Sequence, residues 1–150
     1  MRREKRILTE EEKSKIRLAK TELNEYRENI RYIEEKENDI EELQARLEKI
    51  TTRLSKAKTN SNGLNTDKFS DSLSRLDELR KEYGEKLQEL LLKKFVIDEK
   101  IEQLEPIYRN VLFYRYGRNM SWNMIANEMN YSVSDIYRKH GQALYFYSKL

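Results

Sequence analysis

The chain has 150 residues, of which 38% are charged and 37% hydrophobic, with four Gly, one Pro and no Cys. That balance is too polar for one compact globule and too rich in periodic Leu, Ile and Tyr for disorder. Without cysteine there are no disulfides or thiolate metal sites, and a reducing compartment such as the cytoplasm is the expected location.

No apolar run approaches the ~20 residues of a membrane span, and the basic start MRREKRILTEEEK lacks the apolar stretch of a signal peptide. The net charge of +3 is unevenly spread. Residues 1–57 carry 15 Lys+Arg against 14 Asp+Glu, residues 58–105 carry 9 against 11, and residues 106–150 carry 6 against 2. The basic excess therefore lies in the C-terminal segment.

In chain order, Thr9 and Glu12 form a capping box. The hydroxyl can accept from the backbone N–H three residues on, and the carboxylate can reach back. No Gly or Pro follows until the polar run 58–65. The apolar positions Ile16, Ala19, Leu23, Tyr26, Ile30 and Ile33, then Ile40, Leu43, Leu47, Ile50, Leu54 and Ala57, step alternately by three and four. This is a heptad seam with a phase shift at Glu37. A helix of about 49 residues would be ~70 Å long and needs a partner for so narrow a stripe.

Residues 58–68, KTNSNGLNTDK, read as a loop, with Asp67 or Ser70 able to cap the next helix. The second seam runs Phe69, Leu73, Leu76, Arg80, Tyr83, Leu87, Leu90, Lys94, Ile97, Ile101 and Leu104. Leu79, Leu91, Leu92, Phe95 and Val96 widen its apolar face. Two seams joined by a polar loop most simply form an antiparallel hairpin, with pairing between chains as the competitor. The expected division is a hairpin over 1–105 and a separate domain over 106–150.

Pro106 suits the first position of a new helix over Pro106–Tyr116, and Gly117 suits a left-handed C-terminal cap. Ser121 can cap a helix with Trp122, Ile125, Ala126 and Met129 on one face. Asn130-Tyr131 breaks that pattern. Ser132 can cap a second helix whose inner face is Val133, Ile136, His140 or Gly141, Ala143 and Leu144, and Tyr145-Phe146-Tyr147 would extend it. Two short amphipathic helices across so brief a turn are a helix-turn-helix pattern, whose second helix enters the DNA major groove. The fold expected is all-α: a long antiparallel coiled-coil hairpin followed by a three-helix helix-turn-helix domain.

Leu112-Phe-Tyr-Arg115-Tyr116, Ser121-Trp122-x-x-Ile125-Ala126, Tyr131-Ser132 and Ile136-Tyr137-Arg138-x-His140-Gly141-x-Ala143-Leu144 together resemble the C-terminal part of phage and prophage regulators of the ArpU/RinA type. That group is similar in turn to region four of sigma factors. The resemblance implies a sigma-region-four-like DNA-binding domain, with Val133, Ser134, Tyr137 and Arg138 facing outward near the start of the recognition helix. Sigma factors carry Arg or Glu where this chain has Val133, Ser134 and Asp135, so their promoter specificity is not implied.

Arg138 is the candidate base reader, since its fork can bind guanine O6 and N7 together; a phosphate contact is the alternative. Ser132, Ser134 and Lys139 suit phosphate contacts, and the free N–H groups at the helix start suit a phosphate too. Tyr137 can bond phosphate, stack, or rest on Tyr114. Asp135 suits the helix N-terminus or can accept from cytosine N4. Arg115 and Arg118 flank the turn and suit the DNA backbone. Trp122 is expected in the core. The single His140, with no Cys, cannot build a typical zinc site. No nucleophile–base pair, glycine-rich phosphate loop or metal-ligand spacing is present in the sequence, so an enzyme, a cofactor and a small-molecule substrate are not expected.

The expected function is a phage or prophage DNA-binding transcription regulator. Its partners would be double-stranded DNA, RNA polymerase as a candidate second partner, and another copy of itself, a dimer first. A small-terminase-like DNA-packaging subunit would instead form a ring of many copies. A structural or adaptor coiled coil would show no salt-dependent DNA affinity.

Overall fold

The computed structural model describes residues 7–57 and 66–150, and among these it is all helix, with no strand. The elements are α1 (Glu10–Ala57), α2 (Thr66–Glu102), α3 (Pro106–Leu112), a π-helical turn (Phe113–Gly117), α4 (Trp122–Met129) and α5 (Val133–Tyr147). Residues 58–65 of the expected loop, with the seam side chains Leu54 and Ala57, lie outside the described set.

The capping box forms as the spacing requires. Thr9 N–H donates to Glu12 Oε2 at 3.0 Å, and Glu12 N–H donates to Thr9 Oγ1 at 3.2 Å. Helix α2 begins at Thr66, ahead of both Asp67 and Ser70, and Asp67 sits in its first turn, where a carboxylate suits the helix dipole.

The two long helices form an antiparallel hairpin within one chain. Glu22 meets Lys100 and Tyr26 meets Asp98; further along, Tyr32 meets Lys86 and Glu37 meets Tyr83. Residue numbers thus rise on one helix as they fall on the other. Glu37, where the first seam shifts phase, accepts a 2.9 Å hydrogen bond from the Tyr83 hydroxyl. At the expected seam position Arg80, the buried residue is instead its neighbour Leu79, while Arg80 is exposed. The seam therefore steps Leu76, Leu79, Tyr83. Leu79, one residue off the heptad register, competes for the interior, and the charged stem of Arg80 loses because burying it strands a cation.

The chain packs as two compact units. Among the described residues, one comprises 7–30 and 92–150, the other 31–57 and 66–91. The break expected at residues 105–106 is a break between helices, and the core runs across it. Leu23 and Tyr26 of α1, Ile97, Ile101 and Leu104 of α2, Leu112, Tyr116, and Ala143, Leu144 and Tyr147 of α5 share one buried cluster. Full burial of each large apolar side chain here contributes about 1.5–3 kcal/mol.

Buried or half-buried polar groups tie the same elements together. Tyr26 Oη donates to Asp98 Oδ1 at 2.6 Å, and Lys94, at a seam position, reaches the other Asp98 oxygen. Glu22 accepts from Lys100 at 3.1 Å and from the Tyr147 hydroxyl at 3.0 Å. One carboxylate thereby links α1, α2 and α5. Burial beside these carboxylates raises the Tyr26 and Tyr147 hydroxyls far above the ordinary phenol range.

Pro106 opens α3, where its missing N–H costs no hydrogen bond. The helix does not run on regularly to Tyr116. It widens after Leu112 into the π-helical turn, whose closing bond runs from Arg118 N–H to Phe113 C=O at 3.0 Å. Nor is Gly117 the left-handed residue. Asn119 takes that conformation, with φ 51°. Gly117 serves close approach, because a Cβ there would lie 3.0 Å from the Phe113 ring.

Candidate nucleic-acid interface

The two Ser residues define the helix pair. Ser121 Oγ accepts from Met124 N–H at 3.3 Å and opens α4; Ser132 Oγ accepts from Asp135 N–H at 3.1 Å and opens α5. Asn130 ends α4 with φ 57°, a left-handed cap that Asn adopts at lower cost than most residues. A second buried cluster, Val111, Ile125, Ala126 and Ile136, holds α3, α4 and α5 together, with Trp122, Met129, Val133, Tyr114 and Met120 packed around it.

Helix α5 has two distinct faces. Ile136, His140, Ala143, Leu144 and Tyr147 are buried, whereas Ser134, Tyr137, Arg138, Gly141 and Gln142 are exposed. His140, not Gly141, takes the inner position. Its Nε2 is 2.9 Å from the Tyr116 hydroxyl, and its ring meets the Trp122 edge at 4.8 Å. Burial, with the Lys20 and Arg115 charges nearby, pushes the His140 imidazole down to about 4, so it is neutral near pH 7.

The nine sequence-derived candidates separate by what else they touch. Ser134, Tyr137 and Arg138 stand on the exposed face of α5. Tyr137 rests on Trp122, with centroids 4.9 Å apart. Lys139 lies beside that face, over the Tyr131 ring at 4.6 Å. Arg118 is exposed in the linker before α4, above Phe113 at 5.2 Å.

The remaining four are engaged within the fold. Val133 packs against the second cluster. Arg115 donates to the Met120 carbonyl at 3.0 Å and stacks on Trp122 at 4.3 Å, bracing the turn into α4. Ser132 and Asp135 bond to each other. The Ser132 hydroxyl donates to Asp135 Oδ2 at 2.9 Å, and Arg138 Nη2 donates to Asp135 Oδ1 at 3.1 Å. These two bonds hold the Asp135 carboxyl below the usual carboxylate range.

One exposed residue of this face escaped the sequence reading. Gln142 is four residues after Arg138, hence on the same helix side, and helical spacing from Arg138 was the signal that could have found it. Between them Gly141 leaves open space where a Cβ would stand. Among the described residues no group of three or more His, Asp or Glu side chains is placed to hold a metal ion, and no helix is long and apolar enough to cross a membrane.

Residues 41–146 match the model of a family described as "Protein of unknown function (DUF722)". The chain belongs to that family. The DUF722 stretch takes in the later part of α1, all of α2 to α4 and nearly all of α5, including every candidate residue above. No curated protein and no solved structure gives a significant match.

Proposed function

We propose that the protein is a DNA-binding transcription regulator of phage or prophage type, in which α5 enters the major groove of double-stranded DNA. The observation that carries this reading is the division of α5 into a buried face and an exposed stripe of Ser134, Tyr137, Arg138 and Gln142. These side chains are of the kinds that bond phosphates and base edges. The helix pair is short, capped by Ser at each start and fixed by a shared core, as a rigid reading head requires. The segment that bears it carries 6 Lys+Arg against 2 Asp+Glu.

Arg115 is turned into the fold, which leaves Arg118, Arg138 and Lys139 among the candidates to face DNA, so one copy holds DNA weakly and a second copy supplies avidity. Leu92, Phe95 and Val96 of α2 are 63%, 62% and 52% exposed, an apolar surface suited to that second copy. The rest of the hairpin is the surface offered to RNA polymerase in this reading.

The test is a titration of the full chain against random-sequence duplex DNA at two salt concentrations, with Arg138→Ala alongside. Two phosphate contacts, from Arg118 and Lys139, give a log–log slope near −2, or roughly tenfold weaker binding on a fourfold rise in salt. Arg138→Ala is expected to abolish sequence preference in competition while leaving the fold intact. Absence of salt-dependent affinity overturns the reading in favour of a protein-binding adaptor.

A further inference from the structure

The start of α5 holds a three-residue chain of hydrogen bonds whose geometry bears on how Arg138 is presented. Ser132 caps the helix and simultaneously donates to Asp135 Oδ2 at 2.9 Å. That bond fixes the plane of the carboxylate. The other oxygen, Oδ1, accepts from Arg138 Nη2 at 3.1 Å. The Arg138 side chain is otherwise 60% exposed.

A guanidinium has five N–H donors in a rigid plane. The bond to Asp135 uses one donor on Nη2, on one edge of the fork. One Nη2 hydrogen and both Nη1 hydrogens remain, and one from each nitrogen can span guanine O6 and N7. An exposed ion pair three residues apart on a helix contributes little to stability. Its physical effect is to restrict a long, rotamer-rich side chain before any ligand arrives, which lowers the ordering cost of binding.

We propose that Asp135 is a positioning residue: it holds Arg138 so that its free edge reads a guanine in the major groove, and it does not itself read cytosine. The inference rests on the DNA-binding reading above and adds its base class. Gln142, one turn further along the same face, is set to meet the neighbouring base, where its amide suits adenine. Gly141 between them lets the helix backbone approach the groove.

Two effects of Asp135 have opposite signs. As a negative charge beside DNA it weakens binding to any sequence; as a clamp on Arg138 it strengthens binding to guanine selectively. Asp135→Ala is therefore expected to raise affinity for random duplex DNA and to lower selectivity. The loss of the Ser132–Asp135 side-chain bond alone would change all sequences alike.

The experiment selects a duplex from a random-core pool with the unmodified full chain. Binding is then compared for that duplex and for the same duplex carrying 7-deazaguanine, which lacks the N7 acceptor. The unmodified protein is expected to discriminate by about tenfold or more. Asp135→Ala should lose most of that discrimination, and Asp135→Asn, which keeps one oxygen to accept from Arg138 while its amide NH2 donates to Ser132 Oγ, should recover part of it. Trp122 fluorescence through a urea titration checks that each variant is folded. DNA binding with N7 discrimination unchanged in Asp135→Ala, or with no N7 discrimination in the unmodified protein, overturns the positioning role and leaves the DNA-binding reading standing. No DNA binding at all overturns both.

Discussion

His140 makes the α4–α5 helix pair of this protein sensitive to acid. Its ring is buried against Tyr116 and Trp122, and the imidazole is pushed from an ordinary 6.5 to about 4 by burial first, then by Lys20 and Arg115. A basic group with a depressed folded-state pKa is neutral in the fold. Its contribution to stability is whole above about pH 6.5 and is lost as pH falls toward 4, because the unfolded chain takes up the proton first. Between about pH 7.5 and about pH 5, these two values imply a loss of about 2 kcal/mol from this residue.

The assay is urea unfolding followed by fluorescence. The single Trp122 touches the His140 ring, so the signal reports this part of the fold. A loss of that size lowers the midpoint by ~1 M urea. Carboxylates also titrate in this range, so the decisive quantity is the difference between the unmodified protein and His140→Gln, which cannot gain a proton. His140→Gln is expected to be less stable at neutral pH, from imperfect packing, and to lose about 2 kcal/mol less on acidification. Equal acid sensitivity in the two proteins would refute the argument.

The apolar surface on α2 gives a further prediction. Phe95→Glu changes a side chain that is 62% exposed, so the monomer fold should tolerate it while self-association is lost. Light scattering on the two proteins checks this; an unmodified protein that is monomeric, or a variant with unchanged mass, contradicts a second copy at this face. Asn130→Ala should cost about 1 kcal/mol, since alanine lacks the side-chain bonding that lets Asn occupy the left-handed cap at φ 57°. Asn130→Gly should be neutral or slightly stabilising in the same urea titration.

The legible parts of the fold were those whose partners lie within one helical turn. The Thr9–Glu12 box, the Ser121 and Ser132 caps and Pro106 at the start of α3 are three-residue relations, and the amino-acid order alone determines them. The heptad steps likewise mark which side of α1 and α2 turns inward, because helical periodicity is a local property. The family resemblance places Ser134, Tyr137 and Arg138 outward, as they are, but also Val133, which instead packs against the second cluster.

Tertiary structure decided everything that depends on which distant group arrives at a position. Leu79 displaced Arg80 from the seam because the facing helix selects the apolar neighbour. The widened turn at 113–117 carried Tyr116 to His140, and Tyr137 came to rest on Trp122. Arg115 turned into the fold to brace Met120 and Trp122. The join between the hairpin base and α5, through Glu22, Lys100 and Tyr147, crosses more than a hundred residues of chain. Spacing in sequence carries no information about such meetings; they are settled by which packing buries the most apolar surface while leaving each buried polar group a partner.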